Sequence, residues 1–332
     1  MKFFYTFLIL FCNVYIINAQ SIKLLPQTVT ASVRGMCVVD DHVAWISGSK
    51  GYVAITTDGG NNWKWQQIKG YEKADFRDIQ AFSDKEAVII ASGTPALVLK
   101  TIDGGLNWKL VFQNNDAAYF LDAMDFADKK HGYIMGDPIN NKFLLLETTD
   151  GGSNWTQMSN TPDAIPGEAA FAASGTCMRV QNGQIIIGTG GSVSRYISSP
   201  IKKIKWQYTN TPLLQSKSSQ GAFGITSNNG SVIVVGGDYE QPLKQDSVAA
   251  ILIGYNKFEL SAPMPAGFQS CVEHIKGETF VATGTSGTNI TTDGGKTWSQ
   301  IDKTSFNVCL KARKGNLVLL AGDKGNIGIL KF

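Results

Sequence analysis

Thr56-Thr57-Asp58-Gly59-Gly60-Asn61-Asn62-Trp63 recurs in three further versions along the chain. These are Thr101-Ile102-Asp103-Gly104-Gly105-Leu106-Asn107-Trp108, Thr148-Thr149-Asp150-Gly151-Gly152-Ser153-Asn154-Trp155 and Thr291-Thr292-Asp293-Gly294-Gly295-Lys296-Thr297-Trp298. Their aspartates are spaced by 45, 47 and 143 residues. The last step is three turns of the same period, and a period of ~40–50 residues with a turn-plus-Trp signature predicts a radial β array. Asp-Gly-Gly between two β-type runs is a tight hairpin: the glycines accept positive φ, and the Asp carboxylate bonds nearby backbone N–H groups. The leading Thr ends one strand. The Trp sits on the returning strand and packs its ring over the neighbouring turn. On this reading Asp58, Trp63, Asp103, Trp108, Asp150, Trp155, Asp293 and Trp298 are structural, and the four aspartates are not catalytic.

Seven units can be counted without the box. Short apolar, β-branched runs bounded by Gly begin at Val43, Ala87, Gly132, Gln184, Val232, Phe280 and Leu317, and such runs are strand signals. Blades four and five have lost the Asp. The segment from Tyr196 to Trp206 keeps a Trp, and Ile251 to Leu260 keeps only the hairpin pattern. The chain ends on a third strand with no fourth, at Gly328 to Phe332, while Ser21 to Leu25 is a spare strand near the start. The prediction is an all-β, seven-bladed propeller of four-stranded antiparallel blades. Residues 21–25 pair with 326–332 to close the ring and remove its open edges.

Residues 1–19 read as a secretory signal: Lys2, an apolar stretch from Phe3 to Ile17, and the small Ala19 before Gln20. Cys12 follows the bulky Phe11, unlike a lipoprotein cleavage site. The stretch is short for a membrane span, and no other segment is long and apolar enough. The expected product is an exported, periplasmic or secreted, monomeric protein with a single propeller domain over residues 20–332. The formal net charge of +3 and the absence of a basic cluster longer than Lys202-Lys203-Ile204-Lys205 give no footprint for nucleic acid. Four cysteines follow the signal: Cys37, Cys177, Cys271 and Cys309. Phe268-Gln-Ser-Cys271 and Phe306-Asn-Val-Cys309 match position for position in adjacent blades, which suits either a bridge or buried free thiols. No spacing suggests zinc, and His42, His131 and His274 lack cluster partners. No cofactor is expected.

Strand direction alternates within a blade. The box turns therefore lie on one face, while the lead-ins to the innermost strands and the turns between second and third strands lie on the other. Unusual polar residues gather at those two places: Arg34, Arg77, Asp78, Asp122 and Glu168 on the lead-ins, and Asp137, Asp238 and Tyr239 on the turns, with Arg195 just after one. A concave site needs few, well-placed polar groups, so these nine are the candidate ligand-binding mouth.

The box resembles the Asp-box, or BNR, repeat of sialidase-like propellers. Beyond it, Val33-Arg-Gly35, Asp75-Phe-Arg-Asp-Ile79, Phe120-Leu-Asp122, His131-Gly132, Gly136-Asp-Pro138, Pro166 to Thr176, Gly188 to Gly191 and Gly237-Asp-Tyr239 resemble exported bacterial propellers. Those are related to the photosystem II stability/assembly factor family, and some carry oxidoreductase or glycosyl hydrolase labels. Gln269 departs from that pattern, which implies Arg after the aromatic residue. The resemblance implies a seven-bladed scaffold outside the cytoplasm and no particular reaction, and the function expected here is a non-catalytic, assembly-factor-like propeller that binds a peptide, protein or glycan. Two alternatives stay open. A glycoside hydrolase has Asp122, Asp137, Glu168 and Asp238 to draw on, but the chain has only five arginines and no complete sialidase set. An oxidoreductase would need a dinucleotide fingerprint, and Gly188-Thr-Gly-Gly191 has no helix signal after it.

Overall fold

Each apolar run counted above becomes the second strand of a blade. The first blade is Val33–Val38, Ala44–Gly48, Tyr52–Thr56 and Lys64–Gln67, hydrogen-bonded in that order as an antiparallel sheet. The same order recurs with inner strands Asp75–Ala81, Leu121–Phe126, Met178–Gln181, Lys217–Asn228, Cys271–Lys276 and Val308–Lys311. This is a computed structural model that describes residues 20–26, 29–228 and 230–332. The stretch read as an export signal lies outside the described residues. Among the described residues no helix is long and apolar enough to cross a membrane.

Blade seven lacks a fourth strand of its own, and Ser21–Leu24 supplies it. Ser21 pairs with Lys331 and Leu24 with Gly328, and the Leu25 amide donates to the Ile327 carbonyl at 3.0 Å. The first and last strands therefore share one sheet, as the two spare ends predict.

The core lies between blades rather than within them. Trp45 and Val53 of blade one pack with Phe76, Ile79, Ile89 and Leu99 of blade two. Val33, Met36 and Ile46 of blade one share a second cluster with blades six and seven. The second strand of each blade is thus buried on both faces, which is why it reads as a continuous apolar run.

The four boxes superpose in their bonding. In the first, Thr56 Oγ1 donates to Asp58 Oδ1 at 2.8 Å and accepts from the Gly60 amide at 3.0 Å. Asp58 also accepts from the Asn62 amide at 2.9 Å and from its side chain at 2.7 Å. The other three repeat this pattern around Asp103, Asp150 and Asp293. Hydrogen bonds to the charged form hold Asp150 down at about 2, the Asn154 side chain first among them. The second glycine of each box has positive φ and presses its bare Cα on the preceding blade. A Cβ at Gly152 would meet Val88 at 2.8 Å, and one at Gly295 would meet Ile233 and Ile251 at 2.8 Å. Only Gly satisfies both demands. Trp108 meets Trp45 of the preceding blade edge-on at 6.2 Å, whereas Trp155 meets Phe126 of its own blade edge-on at 5.9 Å.

Blade five carries an addition that the repeat does not announce. Gly190–Gly191 pairs with Lys217–Asn228, and Glu168–Ala169 pairs with Gly190–Gly191, so this sheet has six strands.

Candidate functional site

The inner strands reach the face opposite the boxes through a shared device. Register shifts fall between Val33 and Gly35, Phe76 and Asp78, Leu121 and Ala123, and Ala222 and Gly224. A β-bulge leaves one residue unpaired and re-aims its side chain. The unpaired residues are Arg34, Arg77, Asp122 and Phe223, one from each of four blades. The residue after the bulge must let the next blade approach. A Cβ at Gly35 would lie 2.8 Å from the Asp78 Cα, and one at Gly224 would lie 2.9 Å from the Cys271 Cα.

Two guanidinium groups share one side of this mouth. Arg77 bonds Asp75 at 2.8 Å, reaches the Ala172 carbonyl at 3.4 Å and lies 5.7 Å from the Phe120 ring centre. Arg34 donates to the Ser32 hydroxyl at 3.0 Å, and that hydroxyl donates to Asp323 at 2.5 Å. Burial and the Arg77 charge lower the Arg34 pKa, opposed by Asp75 and Asp323. Beneath them sits Asp122, 1% exposed, with neither oxygen in a hydrogen bond. Burial and the neighbouring Asp137 push its pKa well up. Arg77 and the Ala172 amide, which falls short of full hydrogen-bond geometry, pull the other way. Burial thus favours the neutral form of the Asp122 carboxyl. Asp137 accepts from the Ala170 amide at 3.1 Å, and its pKa is also raised by burial.

The opposite side of the mouth is aromatic. Phe171 stacks on Phe223 at 3.8 Å, and Phe268 and Tyr239 meet Phe223 edge-on at 4.7 and 6.1 Å. Tyr239 is half exposed at 49%. A groove of about 670 Å³ leaves the rim beside Asp75, between Tyr71 and Thr94-Pro95.

The other candidates take different places. Glu168 and Arg195 bind each other: Glu168 accepts from Arg195 Nε at 2.8 Å and Nη2 at 2.5 Å, and from the Thr189 hydroxyl at 2.5 Å. The Glu168 side chain is fully buried and the Arg195 side chain is 9% exposed. This pair anchors residues 163–176 as a strap across the channel mouth. The strap touches blade two through Ala172, blade three through Ala170, blade five through Phe171, and blade six through Ser174, which donates to the Ser270 carbonyl at 2.7 Å. Asp238 is held by the Gln220 side chain at 2.9 Å and by the Glu240 amide at 3.0 Å. Asp78 lies deeper in the axial channel, accepting from the Ile79 amide at 2.8 Å and the Met124 amide at 2.7 Å. The open rim thus brings together Arg34, Arg77, Asp137 and Tyr239, with Asp122 beneath.

Sequence reasoning missed Phe171, Phe223, Asp75 and Asp323 at the mouth. The Phe223-Gly224 step repeats Arg34-Gly35, a signal that could have found Phe223. It also missed an ion network further down the channel. There Arg179 bonds Glu273 at 3.0 Å and lies 3.8 Å from Asp125, which Arg313 bonds at 3.1 Å. Gln269 is fully buried, donating to Ser286 at 2.8 Å and Gly267 at 3.1 Å. The four cysteines are buried free thiols in this structure.

Fold and mouth together define a seven-bladed Asp-box propeller with a mixed polar and aromatic opening away from the boxes. Its likeness is to a photosystem II assembly factor: the family profile described as photosynthesis system II assembly factor YCF48 matches residues 18–117. Two solved YCF48 structures are similar over nearly the whole chain. One is YCF48 bound to D1 peptide, at 17% identity and a TM-score of 0.67, covering 96% of this chain and 98% of that one. The other is YCF48 from Cyanidioschyzon merolae, at 16% identity and 0.68, covering 93% and 98%. The Pan2 WD40 domain of Neurospora crassa, at 14% identity and 0.61, covers 93% and 94%, so the ring architecture is shared more widely. No curated protein matches the chain.

Proposed function

We propose that the chain is an exported, non-catalytic, assembly-factor-like propeller that binds a peptide segment of a partner protein at the mouth away from the boxes. The carrying observation is the placing of Arg34 and Arg77 side by side on two bulges, across the opening from Phe223 and Tyr239. Guanidinium donors suit the carbonyls and carboxylates of an extended peptide, and the aromatic side suits its apolar side chains. The profile match, and a solved YCF48 that holds a D1 peptide, support a peptide over a glycan. Against an enzyme stands the use of the carboxylates. Glu168 is committed to Arg195, Asp238 is buried, and Asp122 lies under the strap.

The test selects peptides from a randomised library on the purified protein and measures them on Arg34→Ala and Arg77→Ala. The expected result is peptides whose affinity falls at least tenfold in both variants and is unchanged in Trp63→Phe on the box face. Equal binding to all three proteins moves the site elsewhere. Selection of glycans but no peptides replaces the partner class. Robust glycosidase or dehydrogenase turnover, lost in Asp122→Asn, overturns the non-catalytic reading.

A further inference from the structure

Cys271 begins the inner strand of blade six, and Cys309 is the second residue of the inner strand of blade seven. These two strands lie side by side at the axis, so equivalent positions face each other across the blade boundary. Both residues are fully buried. Their sulfurs are 3.9 Å apart, the Cys309 amide donates to the Cys271 sulfur at 3.4 Å, and the Cys271 thiol donates to the Cys309 carbonyl at 3.2 Å. Bonded sulfurs lie about 2.0 Å apart, so the two thiols already sit in contact with each other. Cys37 faces the Ala81 carbonyl and the Gln80 side chain instead.

We propose that Cys271 and Cys309 are the two halves of an inter-blade disulfide that locks blade six to blade seven, the blade completed by Ser21–Leu24. The reaction is a two-step exchange with a disulfide donor, either oxidised glutathione or a protein disulfide. One cysteine thiolate attacks the donor, forming a mixed disulfide and releasing one thiol. The other cysteine thiolate then displaces the second thiol and forms the Cys271–Cys309 bond. Two protons and two electrons pass to the donor, which leaves as two thiols. In the closed ring no solvent reaches either sulfur. The exchange therefore belongs to folding, before the ring closes around the inner strands, and afterwards the bond is shielded from reductant. Such a bond joins blades that meet near the ring closure, and it restricts the unfolded chain.

The test unfolds and reduces the purified protein and refolds it in a glutathione redox buffer. Remaining thiols are alkylated under denaturing conditions, and the unreduced protein is digested for mass spectrometry. The expected product is a single cross-linked peptide joining Cys271 to Cys309. Its protein should melt several degrees above the same preparation reduced in denaturant. Cys309→Ala should lose the cross-link and the reductant-sensitive part of the melting point together, and it keeps a small apolar side chain in the core. Alkylation of both Cys271 and Cys309 after oxidative refolding overturns the proposal, as does a bridge through Cys37 or Cys177.

Discussion

Asp78 shows how opposed influences at one residue settle into a measurable property. Two backbone amides favour its carboxylate, yet the side chain sits in the axial channel where charge is poorly solvated. Burial, with Asp125 adding to it, prevails over those amides and Arg179, and the pKa is pushed up to about 8. The folded chain therefore holds a proton that the unfolded chain releases near the usual 3.8. That contribution is complete below the unfolded value and is lost as pH rises through about 8. Asp78→Asn should flatten the fall in unfolding free energy between about pH 5 and 8, read from urea denaturation at a series of pH values. An unchanged slope would place the proton elsewhere. The box tryptophans make a second prediction at this scale. Trp155 is 7% exposed, whereas Trp63 is only half-buried. Trp155→Ala should cost roughly 3–5 kcal/mol of stability and Trp63→Ala clearly less. Chemical denaturation of the two variants checks the order.

At the scale of the element, residues 163–176 behave as one piece held by Glu168 and Arg195. Breaking a buried ion pair from one side leaves the other charge unpaired, so Glu168→Gln should destabilise the protein by about 3–5 kcal/mol. Replacing both partners with apolar residues of similar size, Glu168→Leu with Arg195→Met, should cost less than the single change. A double variant as unstable as the single one would show that the strap depends on more than this pair. This element also marks where the sequence stops being legible. The boxes, the seven strands and the closing strand were readable because each repeats at a fixed spacing or is a strand left without a blade. The two-residue strands Glu168–Ala169 and Gly190–Gly191 have no period to read. The charge of Glu168 looked like part of an open site because its partner follows 27 residues later on another strand. The channel network was hidden for the same reason. Arg179 meets Glu273 across 94 residues, and Arg313 meets Asp125 across 188. The mouth was half legible: Arg34, Arg77 and Asp122 stood out by charge, whereas Phe223 on the same kind of bulge looked like ordinary core.

For the whole molecule, ring closure is the step on which the other layers depend. Blades one and seven share a core in which Val33, Met36 and Ile46 pack with Leu319, Leu320 and Ile329. That interface is held from outside by Ser21–Leu24 on the last strand, where Ile22 packs against Gly328. Removing residues 20–25 deletes four paired residues, uncovers the Ile327–Lys331 strand and leaves a free sheet edge. The expected effect is a loss of about 2–4 kcal/mol from hydrogen bonds and apolar burial, seen as a fall in melting temperature of about 5–10 °C. The exposed edge should also raise the tendency to aggregate. A synthetic peptide of residues 20–26 added in trans should recover part of the lost melting temperature, because the strand docks by pairing rather than by its covalent link to blade one. A deletion that leaves melting and solubility unchanged would show that the ring is sealed by the blade one–blade seven core alone. Full loss of folding, unrescued by the peptide, would show that the strand must be attached for the last blade to form.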